Sequence, residues 1–300
     1  DVRVAVSGST GLIGTRLVRD LRAEDHEVLA LARPGSAVAP GTTPVAWDPV
    51  RETIDGEALE GLDAVVHLAG AGIGDARWTE DRKRLIMGSR VDGTTLLSRA
   101  IAKLRRPPAV LLSASGVGYY GDTGDRITDE SGPAGDDFTA DVCQAWEAAT
   151  APAEQAGVRV AHLRSGVVLA TEGGALARQL PFFRAGLGGR SGSGRQYLSW
   201  ISLHDETRAI RFLLEADLSG PVNLVAPEPV TNSEYARTLG RVLRRPTTII
   251  PMFGPRLLFG RELADSLLLT SQRIVPGKLT EAGFGFTHPR LEVALREILG

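Results

Sequence analysis

Residues 2–14 read Val-Arg-Val-Ala-Val-Ser-Gly-Ser-Thr-Gly-Leu-Ile-Gly. Residues 2–7 are short, apolar and β-branched, the composition of a buried strand. Gly8-Ser9-Thr10-Gly11-Leu12-Ile13-Gly14 then spells G-x-x-G-x-x-G. Residues 12–23 follow with Leu12, Ile13, Leu17, Val18 and Leu21 on one helical face. A strand, a glycine turn and a helix in that order form a cradle for a pyrophosphate. Gly8 permits the tight turn, Gly11 lets backbone approach a phosphate, and Gly14 lets the helix lie close on the sheet. The helix N-terminus adds free N–H groups and the positive end of its dipole. Thr10, Leu12 and Ile13 complete the candidate contacts.

Outward from this turn, strands and helices alternate. Strands are expected at 27–33 (EVLALAR, closed by Pro34-Gly35), 43–47, 63–69 (DAVVHLA), 109–113 and 158–163. Helices are expected at 79–87, 93–104 and 138–155. This rhythm implies βαβ units and a doubly wound parallel sheet of the α/β class, covered on both faces. After Leu169 the rhythm breaks. Residues 173–194 are glycine-rich and carry Arg178, Arg184 and Arg190, with Arg195 just beyond. Strands at 200–203 and 221–225 flank a helix at 205–215. A further helix is expected at 233–243, and residues 251–300 alternate helical pieces with Pro/Gly turns. The expected organisation is a dinucleotide-binding unit over 1–170, to which 201–226 returns. Residues 171–200 and 227–300 form a smaller, mostly helical substrate lobe.

Composition narrows the function. The chain has 300 residues, 43% apolar, with 34 basic against 36 acidic side chains. Apolar content this high with a net charge of −2 excludes a disordered chain. No basic excess is available to neutralise nucleic-acid phosphates. The single cysteine, Cys143, excludes a disulfide framework and a multi-cysteine metal site. His204-Asp205 has no second metal-ligand pair at helical spacing, so no metal is expected. No apolar run reaches the ~18 residues of a membrane span. Strand pattern begins at once, with no signal-peptide pattern, so a cytoplasmic monomer or homodimer acting on a small molecule is expected.

The end of the second strand bears on cofactor choice. It reads Leu31-Ala32-Arg33, with Ser36 just beyond and no carboxylate in the turn. NAD sites place Asp or Glu there for the ribose 2′-OH, whereas an arginine attracts the 2′-phosphate of NADP. NADP(H) is therefore the expected cofactor. Leu68, Ala69 and Gly70 end the fourth strand beside the cofactor crevice. His67, inside that strand, reads as a core histidine with its hydrogen bonds satisfied.

These segments resemble the extended short-chain dehydrogenase/reductase superfamily, of the epimerase/dehydratase type. GSTGLIG, DAVVHLAG and residues 113–121 carry the resemblance over roughly the first 225 residues. The chain is similar in particular to a sugar-nucleotide epimerase-like branch with its own C-terminal domain. Gly88-Ser89-Arg90, Gly118-Tyr119-Tyr120-Gly121, Trp146-Glu147, Arg164-Ser-Gly-Val-Val-Leu169, Gly192-Ser-Gly-Arg-Gln196 and Trp200-Ile201 carry that likeness. The resemblance implies NADP contacts at Ala32, Arg33, Leu68, Ala69 and Arg90. It places Trp47-Asp48 beside the adenine.

The superfamily's chemistry uses Tyr-x-x-x-Lys on one helical face, where the lysine cation lowers the tyrosine pKa. The chain contains no such pair. The residues four beyond Tyr119, Tyr120, Tyr197 and Tyr235 are Thr123, Gly124, Ile201 and Leu239. The tyrosine and lysine positions fall roughly on Thr139 and Cys143. Candidate replacements are Ser115, as hydrogen-bond donor to a substrate carbonyl, and Tyr119 or Tyr120, as proton donor. Arg190, Gln196 and Trp200 are the candidate substrate contacts: an arginine to clamp an anion, and an indole to stack on a sugar ring. Two functions follow from this. One is an NADP(H)-dependent oxidoreductase or epimerase acting on a small polar substrate such as a sugar nucleotide. The other is a regulatory NADP-binding protein on a scaffold that has lost its catalytic pair.

Overall fold

The computed structural model describes all 300 residues. Its strands are β1 (Arg3–Ser7), β2 (Glu27–Ala32), β3 (Thr43–Asp48), β4 (Thr53–Ile54), β5 (Ala64–His67), β6 (Val110–Gly116), β7 (Arg159–Ser165), β8 (Val167–Leu169), β9 (Gly189–Ser191), β10 (Tyr197–Leu198), β11 (Trp200–Ser202), β12 (Gly220–Leu224), β13 (Val230–Thr231) and β14 (Thr248–Ile250). Its helices are α1 (Leu12–Ala23), α2 (Glu80–Ala102), α3 (Phe138–Ala148), α4 (Ala151–Gln155), α5 (Gly174–Arg184), α6 (Leu203–Glu215), α7 (Asn232–Leu243), α8 (Phe253–Phe259), α9 (Arg261–Leu268), α10 (Gly277–Glu281) and α11 (Leu291–Leu299).

Eight strands form one sheet in the order β12-β7-β6-β5-β1-β2-β3-β4. Every pairing is parallel except β3 with β4. The doubly wound parallel sheet expected from the sequence is therefore present. Alternate residues feed opposite faces, as a pleated strand requires. Val4, Val6, Val66, Leu112 and Leu163 join Leu17 and Leu21 of α1 and Ile210 and Leu213 of α6. Ala5, Val65, Leu111 and Val160 join Leu97 and Ile101 of α2 and Ala153 of α4. A separate cluster under α5, α7 and α11 centres on Trp200, Leu176 and Leu239. The strand order reverses between β1 and β5, which opens the crevice where such sheets bind ligands.

Three local expectations need correction. Across 79–104 the chain forms one helix, Glu80–Ala102, of 23 residues rather than two; Thr79 caps it, its side chain accepting from Arg82 N at 3.1 Å. Gly88 and Gly93 lower helix propensity without stopping the helix. Residues 138–155 form two helices rather than one. Thr150 turns its hydroxyl onto Glu147 O at 2.8 Å, and Pro152 lacks an N–H to continue the ladder. Trp200–Ser202 is a strand, but it pairs with β8 outside the main sheet.

Candidate functional site

The β1–α1 turn meets the steric demands of a phosphate cradle. Gly8 has φ +65°, and a Cβ there would sit 3.0 Å from the Ala69 nitrogen. A Cβ on Gly14 would lie 2.0 Å from Gly8 O, so only glycine lets α1 close on the turn. Thr79, Asp137, Ser202 and Thr231 cap α2, α3, α6 and α7 with side-chain oxygens. Gly11 gives α1 no such cap. The first N–H groups of α1 therefore stay free for an external acceptor. These residues fit a dinucleotide pyrophosphate.

Ser7 locks the two sides of the crevice together. Its Oγ accepts from Leu68 N at 2.9 Å and Ala69 N at 3.2 Å. Its own proton then goes to His67 Nδ1 at 2.6 Å, and His67 Nε2–H donates to Thr94 Oγ1 at 2.9 Å. His67 is neutral in this arrangement, and full burial pushes its pKa down to about 4. It is a core residue that orients the β5 loop.

Arg33 follows directly on β2 and stands exposed; its carbonyl accepts from Ser36 N at 3.0 Å, and its guanidinium makes no ion pair and no hydrogen bond. Arg90 is buried beneath the β5 loop. Its Nη1 donates to Ala71 O at 2.7 Å and its guanidinium lies 4.7 Å from the Trp146 ring. A Cβ on Gly70 would come within 3.1 Å of that guanidinium, and its Nε has no partner. Burial lowers its pKa to about 10, so it stays charged at neutral pH. Trp47 is buried against His67 at 5.7 Å, and Asp48 caps the turn through Val50 N at 3.1 Å. Trp47 is thus almost wholly covered, while Asp48 stays partly open to solvent.

The expected catalytic residues gather at the carboxyl end of β6, tied into one network. Ser115 Oγ donates to Glu147 Oε2 at 3.0 Å. Arg164 grips the same carboxylate twice, Nε to Oε2 at 3.1 Å and Nη2 to Oε1 at 2.9 Å. Arg164 Nη1 also donates to the Tyr120 hydroxyl at 3.0 Å, which donates to Asn223 Oδ1 at 2.7 Å. Burial pushes Tyr120 up to about 12, and with both hydrogen bonds internal it is a structural tyrosine. Tyr119 is half-buried, its ring under Arg164 at 3.5 Å and its hydroxyl free of the network. Thr139 and Cys143 line the same floor: a Cβ on Gly118 would meet them at 3.1 and 3.7 Å. Burial, then the Glu147 charge, pushes the Cys143 thiol up to about 11, which leaves it inert.

The expected substrate residues are not brought together as a binding surface. Trp200 is fully buried with its indole N–H on Glu228 O at 3.1 Å, so no ring face is open for stacking. Gln196 Nε2 is spent on Ser191 O at 2.9 Å and Leu268 O at 2.7 Å. Arg190 closes its own loop through Ser193 O at 2.7 Å. Arg178 reaches the crevice rim and pairs with Asp75 at 2.7 Å. Residue patterns gave no role to Glu147, Arg164 or Asn223. Trp146-Glu147 and Arg164 stood among the resembling motifs, the one signal that pointed to them.

A sheet reversing beside a glycine cradle and a serine-anchored β5 loop defines a dinucleotide-binding protein. Residues 4–225 match the NAD dependent epimerase/dehydratase family, and the chain belongs to it. Residues 250–298 match a domain of unknown function, DUF1731. The chain is 47% identical over 294 residues to the epimerase family protein Mb2239 of Mycobacterium bovis, covering 97% of this chain and 96% of that one. It is similar to the crystal structure of human epimerase family protein SDR39U1 with NADPH, at TM-score 0.89 and 37% identity over 99% and 98% of the two chains. It is also similar to the nucleoside-diphosphate sugar epimerase of Corynebacterium glutamicum, at TM-score 0.79 and 36% identity, covering all of this chain and 58% of that one. No helix is long and apolar enough to cross a membrane.

Proposed function

We propose that the chain is an NADP(H)-dependent oxidoreductase or epimerase-like enzyme acting on a small polar substrate. The observation that carries the cofactor choice is Arg33: exposed, unpaired, and in a turn without a carboxylate. The human relative's structure with NADPH supports it. Gly8–Gly14 would hold the pyrophosphate and Arg33 the 2′-phosphate. Ala32 and Leu68–Gly70 would border the riboses, with Arg90 beneath. The cofactor supplies hydride chemistry when bound. Of the candidate proton donors, Tyr119 keeps a free hydroxyl and Arg164 lies over its ring. Ser115 is held by Glu147 and positions that side of the floor. Thr139 and Cys143 where the superfamily has its tyrosine and lysine favour the second reading, a regulatory NADP-binding protein.

Charge-assisted bonds to phosphate contribute roughly 1.5–3 kcal/mol each. Arg33→Ala should therefore weaken NADP(H) by about 10- to 100-fold and leave NAD(H) nearly unchanged. Calorimetry of both cofactors at fixed salt tests this; equal loss for both, or equal wild-type affinities, overturns the assignment. NADPH oxidation across a panel of carbonyl compounds and sugar nucleotides separates the two readings. Turnover that Tyr119→Phe abolishes supports the enzyme, and tight binding without turnover supports the sensor.

A further inference from the structure

Eight of the twelve large apolar side chains that stand exposed fall within residues 182–267. Six of them lie on neighbouring segments: Phe182 at 59%, Leu187 at 65%, Ile249 at 55%, Phe253 at 74%, Leu257 at 74% and Leu258 at 66% exposed. Backbone bonds tie their segments together. Leu187 N donates to Phe182 O at 2.9 Å and Thr248 N to Gly188 O at 2.9 Å. Only Pro251 and Met252 separate β14 from α8. No residue of α8 is buried: the helix touches α9 and takes Arg77 on Leu257 O, while the side chains of Phe253, Leu257 and Leu258 stand open to solvent. β14 pairs with β9 on one side only, which leaves a strand edge open beside Ile249.

We propose that this face is where two copies of the chain meet about a two-fold axis. The β14 edges pair antiparallel across the axis and the α8 helices pack over them. Area supports a second copy. Six large side chains exposed to this degree present about 700 Å² of apolar surface. That exceeds the ~300–600 Å² of the largest patch on a typical monomer. It approaches the ~800 Å² per partner of a stable interface. Charge supports it as well. At a two-fold axis like groups meet like, so unpaired charge there repels. The one charged residue of α8, Arg256, is closed off by Asp265, Nε to Oδ1 at 2.8 Å and Nη2 to Oδ2 at 3.2 Å. Arg184 and Arg245 stand exposed beside the patch, which also gives it a resemblance to a surface that docks on acidic membranes.

Sedimentation velocity of the full chain tests the proposal. Wild type should sediment at twice the 31.9 kDa chain mass when held at about 10 µM. Phe253→Glu with Leu257→Glu should sediment as a monomer with an unchanged far-ultraviolet circular dichroism spectrum, since neither side chain packs inside the fold. Ile249→Lys, at the strand edge, should weaken the dimer at least about tenfold. A monomeric wild type at about 100 µM overturns the proposal. So does a dimer indifferent to both variants, or a monomer that floats with phosphatidylserine vesicles.

Discussion

Glu206 sits on the first turn of α6 with one carboxyl oxygen taking the Ser165 hydroxyl and the other without a partner. Burial raises its pKa to about 8, so the native chain holds a proton that the unfolded chain releases near 4.5. Stability from this group is full below pH 4.5 and falls as pH rises through 8. The gap corresponds to at most about 5 kcal/mol. His67 works the other way. Its folded pKa of about 4 lies below the 6.5 of a free imidazole, so its stability is lost as pH falls through that range. Glu206→Gln keeps an acceptor for Ser165 and removes the titration. It should stabilise the fold at pH 8 by roughly 2–5 kcal/mol and change little at pH 4.5. Denaturant titration at the two pH values measures this; an equal effect at both would mean that Glu206 is already ionised in the native state. Sequence could not announce such a residue, because Glu206 meets Ser165 through tertiary packing alone. The same holds for Glu147 and Arg164, which lie on different elements with no spacing signal to link them. Gly8–Gly14 was legible because its chemistry is local: a turn, a close approach and a free helix end.

At the scale of elements, strands were easier to read than helix boundaries. A parallel strand buried on both faces leaves a short apolar run, and β1, β2, β5, β6 and β7 each show one. The pieces Tyr197–Leu198, Val230–Thr231 and Thr248–Ile250 are two or three residues long, too short for any period. Gly88 and Gly93 interrupt the helix propensity of α2, which is why the sequence predicts two helices there, while packing of Ile86, Leu97 and Ile101 keeps it whole. Gly88 is thus a weak point that packing does not need. A Cβ there would meet only Asp92 Oδ2, at an ordinary 3.6 Å. Gly88→Ala should raise stability by about 0.5–1 kcal/mol through helix propensity and a less flexible unfolded chain. Thermal unfolding should show the gain with cofactor affinity unchanged. A loss instead would place a ligand or a lid against that stretch of α2.

On the scale of the whole molecule, the C-terminal third is fastened to the sheet unit by buried polar groups. Ser199 Oγ donates to Gln272 O at 2.7 Å and accepts from Ile274 N at 2.9 Å. Gln272 Nε2 reaches Val117 O at 3.0 Å and Gly121 O at 3.2 Å, beside Tyr119. Asp205 is the hub of a second seam. Fully buried, it accepts from Thr287 N at 3.0 Å, His288 N at 2.8 Å and Arg208 Nη1 at 2.9 Å. His288 then bonds Ser202 Oγ at 2.8 Å and pairs with Glu297 at 2.5 Å. Asp205→Ala would strand two backbone N–H groups at this seam and leave Arg208 with Gly285 O as its hydrogen-bond acceptor. Each unsatisfied buried donor costs about 1–3 kcal/mol, so the variant should lose about 3–5 kcal/mol. Hydrogen exchange gives the sharper test, because the loss is local before it is global. Amides of α11 and residues 284–290 should exchange faster by about 100-fold or more, while β1, β5 and β6 stay protected. Uniform acceleration across the sheet would mean that seam and sheet open together as one unit. Unchanged exchange in α11 would mean that the Leu291, Ala294 and Leu295 packing holds the tail and Asp205 does not.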